Sequence, residues 1–184
     1  MVLTSDTWLD RAIALNPNSA PALGLGAIVR TFAGDYATAI DHADRAMRLS
    51  PFDLASFLFS LARGIGHLLQ RQLPEAVAWL RKATQQNPRN VPTFLYLGSA
   101  LAHAGQMEEA RMAIRRLLEL HPTSTVRWEQ QRRRFREDDI EYLMEGARRS
   151  HRQTGSRSPS SAHRPHHHRS EFSLRPLVSS SHSP

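Results

Sequence analysis

Not one of the 184 residues is a cysteine. That excludes disulfides, thiolate zinc sites and cysteine nucleophiles together. Long apolar runs are missing as well, and a membrane-crossing helix needs about 18 to 20 consecutive apolar residues. Residues 90–107 carry no charge, but Asn90, Pro92, Gly98, His103, Gly105 and Gln106 interrupt them. The first ten residues, MVLTSDTWLD, show no positive start followed by an apolar core. No secretory leader is therefore expected, and the cytoplasm is the simplest expected compartment. Glycine-rich phosphate loops are missing too, because Gly24, Gly26, Gly64 and Gly66 fall inside helical patterns.

Nor is there a constellation for catalysis. Ser156 to Ser161 and the histidines near them lie in a stretch too polar to hold a triad in place. Asp138 and Asp139 are neighbours in sequence, so on a helix their side chains diverge, and capping or solvent roles suffice for them. His163, His166, His167 and His168 have imidazole nitrogens for a transition metal. In an unstructured segment they offer no fixed geometry and no supporting hydrogen bonds. The expectation is a non-enzyme with no catalytic residues, no metal site and no cofactor.

What the chain does have is a ruler. Pro17, Pro51, Pro88 and Pro122 are spaced by 34, 37 and 34 residues. Each follows the end of a helical pattern: ALNP, RLSP, QQNP and ELHP. Between the last two prolines lies the clearest unit, from Pro92 to Pro122. Phe94, Leu97, Leu101 and Ala104 recur at helical spacing, and Ala110, Ile114, Leu117 and Leu118 do so after the turn Ala104-Gly105-Gln106. Gly98 sits where the two helices would cross, Gly105 ends the first, and Pro122 stops the second.

The same organisation extends backwards. Residues 54–90 pair a strongly apolar first helix (Leu54, Phe57, Leu58, Leu61, Ile65, Leu68) with a second holding Ala76, Val77, Leu80 and Ala83. Asp53 suits the cap of the first helix and Pro74 the first turn of the second. The spacing of 37 puts three extra residues in or before that first helix. Residues 20–53 carry Leu23, Ala27, Ile28 and Phe32, the turn Ala33-Gly34-Asp35, then Ala39, Ala43 and Ala46 after Tyr36. Residues 1–19 hold only a second helix, with Trp8, Leu9, Ala12, Ile13 and Leu15 as its stripe. Half a repeat cannot bury its inner face alone, so the start reads as a cut through a longer array.

Residues 123–150 leave the pattern but stay helical. Thr125 suits the cap of a short helix through Trp128 to Arg134. Asp138 or Asp139 suits the cap of another, with Ile140, Leu143, Met144 and Ala147 on one face. Two capping helices are expected, apolar face on the last repeat and charges outward. Residues 151–184 are expected to be disordered: positions 156–184 hold ten Ser, five His, four Pro and four Arg, too little apolar surface to offset the ordering entropy.

A spacing of 34 with these residues resembles the tetratricopeptide repeat. The resemblance covers residues 2–122 and implies an all-α, right-handed solenoid of about three and a half helix pairs with C-terminal capping helices. It further implies a scaffold for protein–protein interaction, with a concave groove lined by the first helices. By position the lining is Phe32, Leu58, Leu61, Ile65, Leu95, Ser99 and His103, mostly apolar, which suits an amphipathic helix or an apolar segment. The family's carboxylate clamp of Lys and Asn is not visible at these positions, which disfavours acidic chaperone tails.

A second resemblance rests on RAMRLSPFD, EAVAWLRKATQQNP and FREDDIEYLMEGARR. These are similar to the C-terminal repeat region of some bacterial class III adenylate/guanylate cyclases, signalling proteins whose arrays end in D-x-E-x-L-x-E-G-L-R. The matching residues are Asp139, Glu141, Leu143, Glu145, Gly146 and Arg148, with Ala147 in place of leucine. The catalytic domain has no counterpart here, so no activity is implied; the chain reads as a regulatory region or a fragment of such a protein.

The net charge of +7 is uneven. Residues 1–125 hold 12 Lys/Arg and 10 Asp/Glu, whereas residues 126–184 hold 12 Arg and 7 Asp/Glu. An RNA-binding reading would rest on Arg132, Arg133, Arg134 and Arg136 with Trp128 and Phe135 as stacking aromatics. Glu129, Glu137, Asp138 and Asp139 offset that charge, and a solvated cap face is the better reading. The bare inner face of the N-terminal half repeat implies self-association.

Overall fold

A computed structural model describes residues 5–51, 56–121 and 135–152. Eight helices occupy them: α1 (Ser5–Leu15), α2 (Ala20–Ala33), α3 (Tyr36–Leu49), α4 (Ser56–Leu69), α5 (Leu73–Gln86), α6 (Val91–His103), α7 (Met107–Leu120) and α8 (Glu137–Arg152). The expected cap at Asp53, the short helix from Thr125 to Arg134 and the Ser/His-rich tail lie outside the described residues.

The proline turns explain where the helices begin. Before α2, the Asn16 side chain accepts from the N–H of Asn18 at 3.3 Å, and the N–H of Ser19 donates to the Asn16 carbonyl at 3.1 Å. Before α6, Asn87 does the same for Arg89 at 3.3 Å and for Asn90 at 3.2 Å. Ser19 and Asn90 then cap their helices, accepting from Ala22 and Thr93. Proline follows in the first turn in both cases, where its missing N–H costs nothing.

The turns within each pair repeat as well. At Gly34, Arg71 and Gly105 the backbone is left-handed, with φ of 84°, 64° and 78°. In each, the next residue's N–H reaches back to close the preceding helix: Asp35 to Arg30, Gln72 to His67 and Gln106 to Leu101. These three positions set the register of the pairs. Two are glycine; the third is arginine, for which this conformation costs roughly 1 kcal/mol or more.

Within a pair, small residues let the helices meet. A Cβ placed on Gly98 would lie 2.7 Å from Ile114, and one on Gly64 would lie 2.7 Å from Leu80. The two contacts are 34 residues apart. Their counterparts in the first pair, Ala27 and Ala43, are fully buried in one cluster with Leu23, Ala46, Phe59 and Ala62. Pairs stack in order: α1 on α2, α3 on α4, α5 on α6. Aspartates bridge the seams, Asp10 to Arg30 and Asp44 to Arg63, and the Arg63 guanidinium also lies 4.1 Å over the Trp79 ring.

The two ends of the array differ. On α1, Leu9 and Ile13 are half-buried, while Trp8 is 60% and Leu15 79% exposed. At the other end α6 is buried without a break from Thr93 to Ala102. A helix covered on every side needs neighbours on every side; α5 and α7 supply two, and α8 supplies the third.

Two expectations for α8 are corrected. The helix already begins at Glu137, so Asp138 and Asp139 lie in its first turn rather than capping it. Asp139 is also not a solvent residue: it is 9% exposed and accepts a hydrogen bond from the Tyr36 hydroxyl.

Leu80 tests the pair packing. Leu80→Ala removes a fully buried side chain seated on Gly64 and should cost about 2–5 kcal/mol. Met112→Ala, at a site 65% exposed, should stay within about 0.5 kcal/mol of the parent. Urea unfolding of both variants, at unchanged m-value, checks the contrast.

Candidate partner-binding groove

The first helices α2, α4 and α6 line one face, and the left-handed turns put them in register. Phe32 and His103 each stand two residues before such a turn, at Gly34 and Gly105. The residue two before Arg71 is Leu69, which is buried. Leu69, not Leu58, therefore completes that row. The half-buried Leu58 packs with Phe59, Leu23 and Ala27 in the seam between the first two pairs. One turn back from the row stand Ile28, Ile65 and Ser99; another turn back stand Gly24, Leu61 and Leu95. Six of the seven positions expected from sequence thus share one face, with Leu69 the missing member.

On α6 that face is covered, and the cover is α8 with the residues that lead into it. His103 Nε2 lies 2.9 Å from the Tyr142 carbonyl, which only accepts, so the imidazole donates. A Cβ on Gly146 would lie 2.8 Å from both the Cα and the carbonyl oxygen of Ser99. Moving four residues back along α6 moves four residues forward along α8, so the two helices are antiparallel. Leu95 is buried in one cluster with Ala147, Phe94, Ile114 and Leu117. Leu61 and Ile65 share the central cluster with Phe135 and Leu143, against which Phe32 and Tyr36 pack.

At its N-terminal end the cover reaches the first pair. Phe135 meets Phe32 edge-on at 4.8 Å and Tyr96 at 6.1 Å. The Arg136 side chain runs over Gly34, and Asp139 holds Tyr36. Burial first, and the Asp139 hydrogen bond second, push the Tyr36 phenol well above its ordinary value, so the phenol remains the donor.

Tyr142 is clamped. His103 stacks on its ring at 3.7 Å and 9°, and the Arg71 guanidinium lies 3.1 Å from the ring centroid. Two groups that close cannot share one face, so arginine and histidine take opposite faces. Arg71 is exposed and Tyr142 half-buried, and a cation–π contact at such a site contributes about 0.5–1 kcal/mol. Arg71 is the residue held in the left-handed turn, so its backbone cost supports this contact. Burial pulls the His103 imidazole below its usual range, against the opposing pull of the Tyr142 carbonyl, and the neutral ring suits a site beside a guanidinium.

Polar satisfaction is incomplete. Ser99 is fully buried beneath Gly146 and its hydroxyl has no hydrogen-bond partner. Such a group costs roughly 1–3 kcal/mol. Leu25, eight residues after Pro17 as Tyr96 is after Pro88, stays 58% exposed; α8 does not extend over it.

Residues 67–130 match the tetratricopeptide repeat family. The chain is similar in structure to the first tetratricopeptide domain of Spaghetti (RPAP3) bound to an HSP90 peptide. That likeness has 18% identity and a TM-score of 0.56, and covers 74% of this chain and 94% of that one. It is similar to MamA at 15% identity and TM-score 0.57, covering 79% and 86%. YrrB, described as a tetratricopeptide protein with an unusual peptide-binding site, matches at 19% identity and TM-score 0.52, covering 79% of each chain. The fold is the tetratricopeptide α-solenoid. No curated protein gives a significant match to the sequence.

Among the residues that sequence patterns did not flag for the groove of this solenoid are Leu69, Arg71, Tyr96 and Tyr142. The position two before the left-handed turn was a usable signal for Leu69. For Tyr142 there was none, because it lies beside the apolar stripe of α8 rather than on it.

The buried His42 and the half-buried His103 give a pH dependence. The folded-state values of His103 and His42 both lie below the usual 6.5, chiefly through burial. Around His103 the charged groups are Arg149, Glu145 and Arg71. The unfolded chain therefore binds protons first as pH drops. Thermal stability should be level above about pH 6.5 and fall as pH drops through the lower folded-state values. His103→Gln keeps an N–H for the Tyr142 carbonyl without a titrating ring, so the fall should become shallower, leaving the share of His42. Melting curves across that range check both statements.

Proposed function

We propose that the chain is a non-catalytic protein-interaction module whose concave face receives a peptide or an amphipathic helix. The observation that supports this most is that Leu95, Ser99 and His103 lie under an amphipathic helix already, the chain's own α8, with Phe32 under Phe135 just before it. The first helices offer apolar walls with a few polar groups among them, the composition of a helix-in-groove site. Peptides bound by solenoids of the same fold, as in the complex of Spaghetti with an HSP90 peptide, support a protein ligand. The apolar residues Phe32, Leu61 and Ile65 on this face argue for an apolar contact rather than a clamp on an acidic tail.

The proposal includes a setting. Asp139, Leu143 and Gly146, three of the residues that resemble the cyclase-associated arrays, are the ones that touch Tyr36, the central core and Ser99. That residues of this resemblance are the ones that dock α8 is what supports the reading of a regulatory region from a bacterial, cytoplasmic signalling protein. A cyclase coding region in frame upstream of Met1 would support it, and an unrelated gene there would count against it. Self-association through α1 is the second reading, supported by exposed Trp8 and Leu15; a strict monomer in sedimentation at high concentration would remove it. The RNA-binding alternative rests mainly on Arg132, Arg133 and Arg134, outside the described residues, while Phe135 is buried rather than free to stack on a base.

Site-specific photocrosslinking tests the module reading. A photoreactive side chain at Phe32 or Leu25 should capture protein partners from the source cell, and one at Met112, on the far face of α7, should not. Equal capture at Met112 would refute a concave site.

A further inference from the structure

The position of α8 is not that of another stacked element. In a stack of like pairs, each first helix runs parallel to the one before it; α8 runs antiparallel to α6, with Tyr142 at His103 and Gly146 at Ser99. The helix packs on α6 and α7, but the two residues that lead into it and its first turn reach further. Phe135, Arg136 and Asp139 touch Phe32, Gly34 and Tyr36 of the first pair. A helix stacked only on the last pair has no reach to the first. It lies in the concave face, as a bound helix would.

Four residues on one face of α8 make the specific contacts: Asp139, Tyr142, Leu143 and Gly146, at i, i+3, i+4 and i+7. Each meets a different demand. Asp139 accepts from Tyr36. Tyr142 fills the slot between Arg71 and His103. Leu143 is fully buried in the central core. Gly146 is small because the backbone of Ser99 leaves no room for a Cβ. The fit nevertheless leaves the Ser99 hydroxyl without a partner.

We infer that α8 is a tethered pseudo-ligand. It occupies the partner site, and the partner is an amphipathic helix of another protein that carries an acidic, an aromatic, an apolar and a small residue at i, i+3, i+4 and i+7 and displaces α8 on binding. The inference rests on the module reading above and adds to it the chemistry of the partner and the obstacle it meets. A tethered segment competes at an effective concentration near millimolar for a short linker. The affinity of an external helix is therefore reduced by the fraction of molecules in which α8 is docked.

The test uses the full-length chain and a fluorescent synthetic peptide of residues 135–152, with a second peptide carrying Gly146→Val. Anisotropy titrations compare the parent chain with Tyr142→Ala and Gly146→Val chains, whose helical arrays are verified by circular dichroism. The parent peptide should bind both variant chains at least tenfold more tightly than the parent chain, and the Gly146→Val peptide should bind none of them. In the parent chain, saturating peptide should speed amide exchange of residues 137–152. That arm needs no variant and decides the matter should either variant misfold. Equal affinity for all three chains, with crosslinks at Phe32, would overturn the pseudo-ligand and leave the module reading intact. Crosslinks at Met112 instead would overturn both. Binding by no chain, or a parent chain that sediments as a dimer with exchanged α8 helices, would overturn the inference.

Discussion

A pair of short helices cannot bury both faces of its first helix. That constraint governs the whole molecule. Each pair closes internally where a small residue admits a large one, as Gly98 admits Ile114 and Gly64 admits Leu80. This leaves the outer side of the first helix bare. Stacking covers it from one direction: α3 shields α4, and α5 shields α6. The concave direction needs something else. For α6 that something is α8, and the result is ten consecutive buried residues in a helix that contains no charged side chain. The α2 helix has less cover there, and Leu25 is correspondingly exposed.

Close approach is used twice over, to different ends. At Gly98 the neighbour is Ile114, a side chain from the next helix of the same pair, and the contact repeats at the equivalent Gly64. At Gly146 the neighbour is the backbone of Ser99, and among the described residues no equivalent exists in the other pairs. The first is a rule of the repeat; the second is particular to the docking of α8. The distinction separates what any array of this kind requires from what this chain adds. Arg71 belongs with the second group. Its counterparts are Gly34 and Gly105, so the repeat asks for glycine there. The arginine answers to Tyr142.

The helix pairs were legible because their punctuation is local. Asparagine and proline in the turns, a cap two residues later, and proline in the first turn act within a few residues and need no tertiary context. The groove was partly legible. Phe32, Ser99 and His103 follow from counting along repeats that keep the spacing of 34. Leu58 does not, because the longer interval between Pro51 and Pro88 hides the register, which the turn at Arg71 restores. Nothing in the sequence marks arginine as the left-handed residue of that turn. That α8 packs its apolar stripe on the last pair was legible, and it does pack on α6 and α7; its reach to Tyr36, Arg71 and Ser99 was not. Its stripe of Ile140, Leu143, Met144 and Ala147 announces a face to be buried, yet a stripe of this kind fits the end of an array as readily as its inside. What decides is the complementarity of Gly146 with Ser99 and of Tyr142 with the Arg71–His103 slot, and those residues lie 30 or more positions apart in the chain.

Asp139 shows the same limit in one residue. Beside Asp138 and Glu137 it reads as part of an acidic first turn, favourable to the helix dipole and indifferent to the rest of the fold. Asp138 and Glu137 do remain exposed. Asp139 instead meets Tyr36 from more than a hundred residues away, and the pair ties the start of α8 to the first helix pair. Because the phenol is held protonated by burial and by the carboxylate together, the tie keeps a fixed donor and acceptor throughout the neutral range. The acid-sensitive element at the other end is His103. Docking of α8 thus combines an anchor whose phenol stays protonated with an imidazole that burial keeps neutral until acid, and loss of the second leaves the first to hold the helix by its N-terminus.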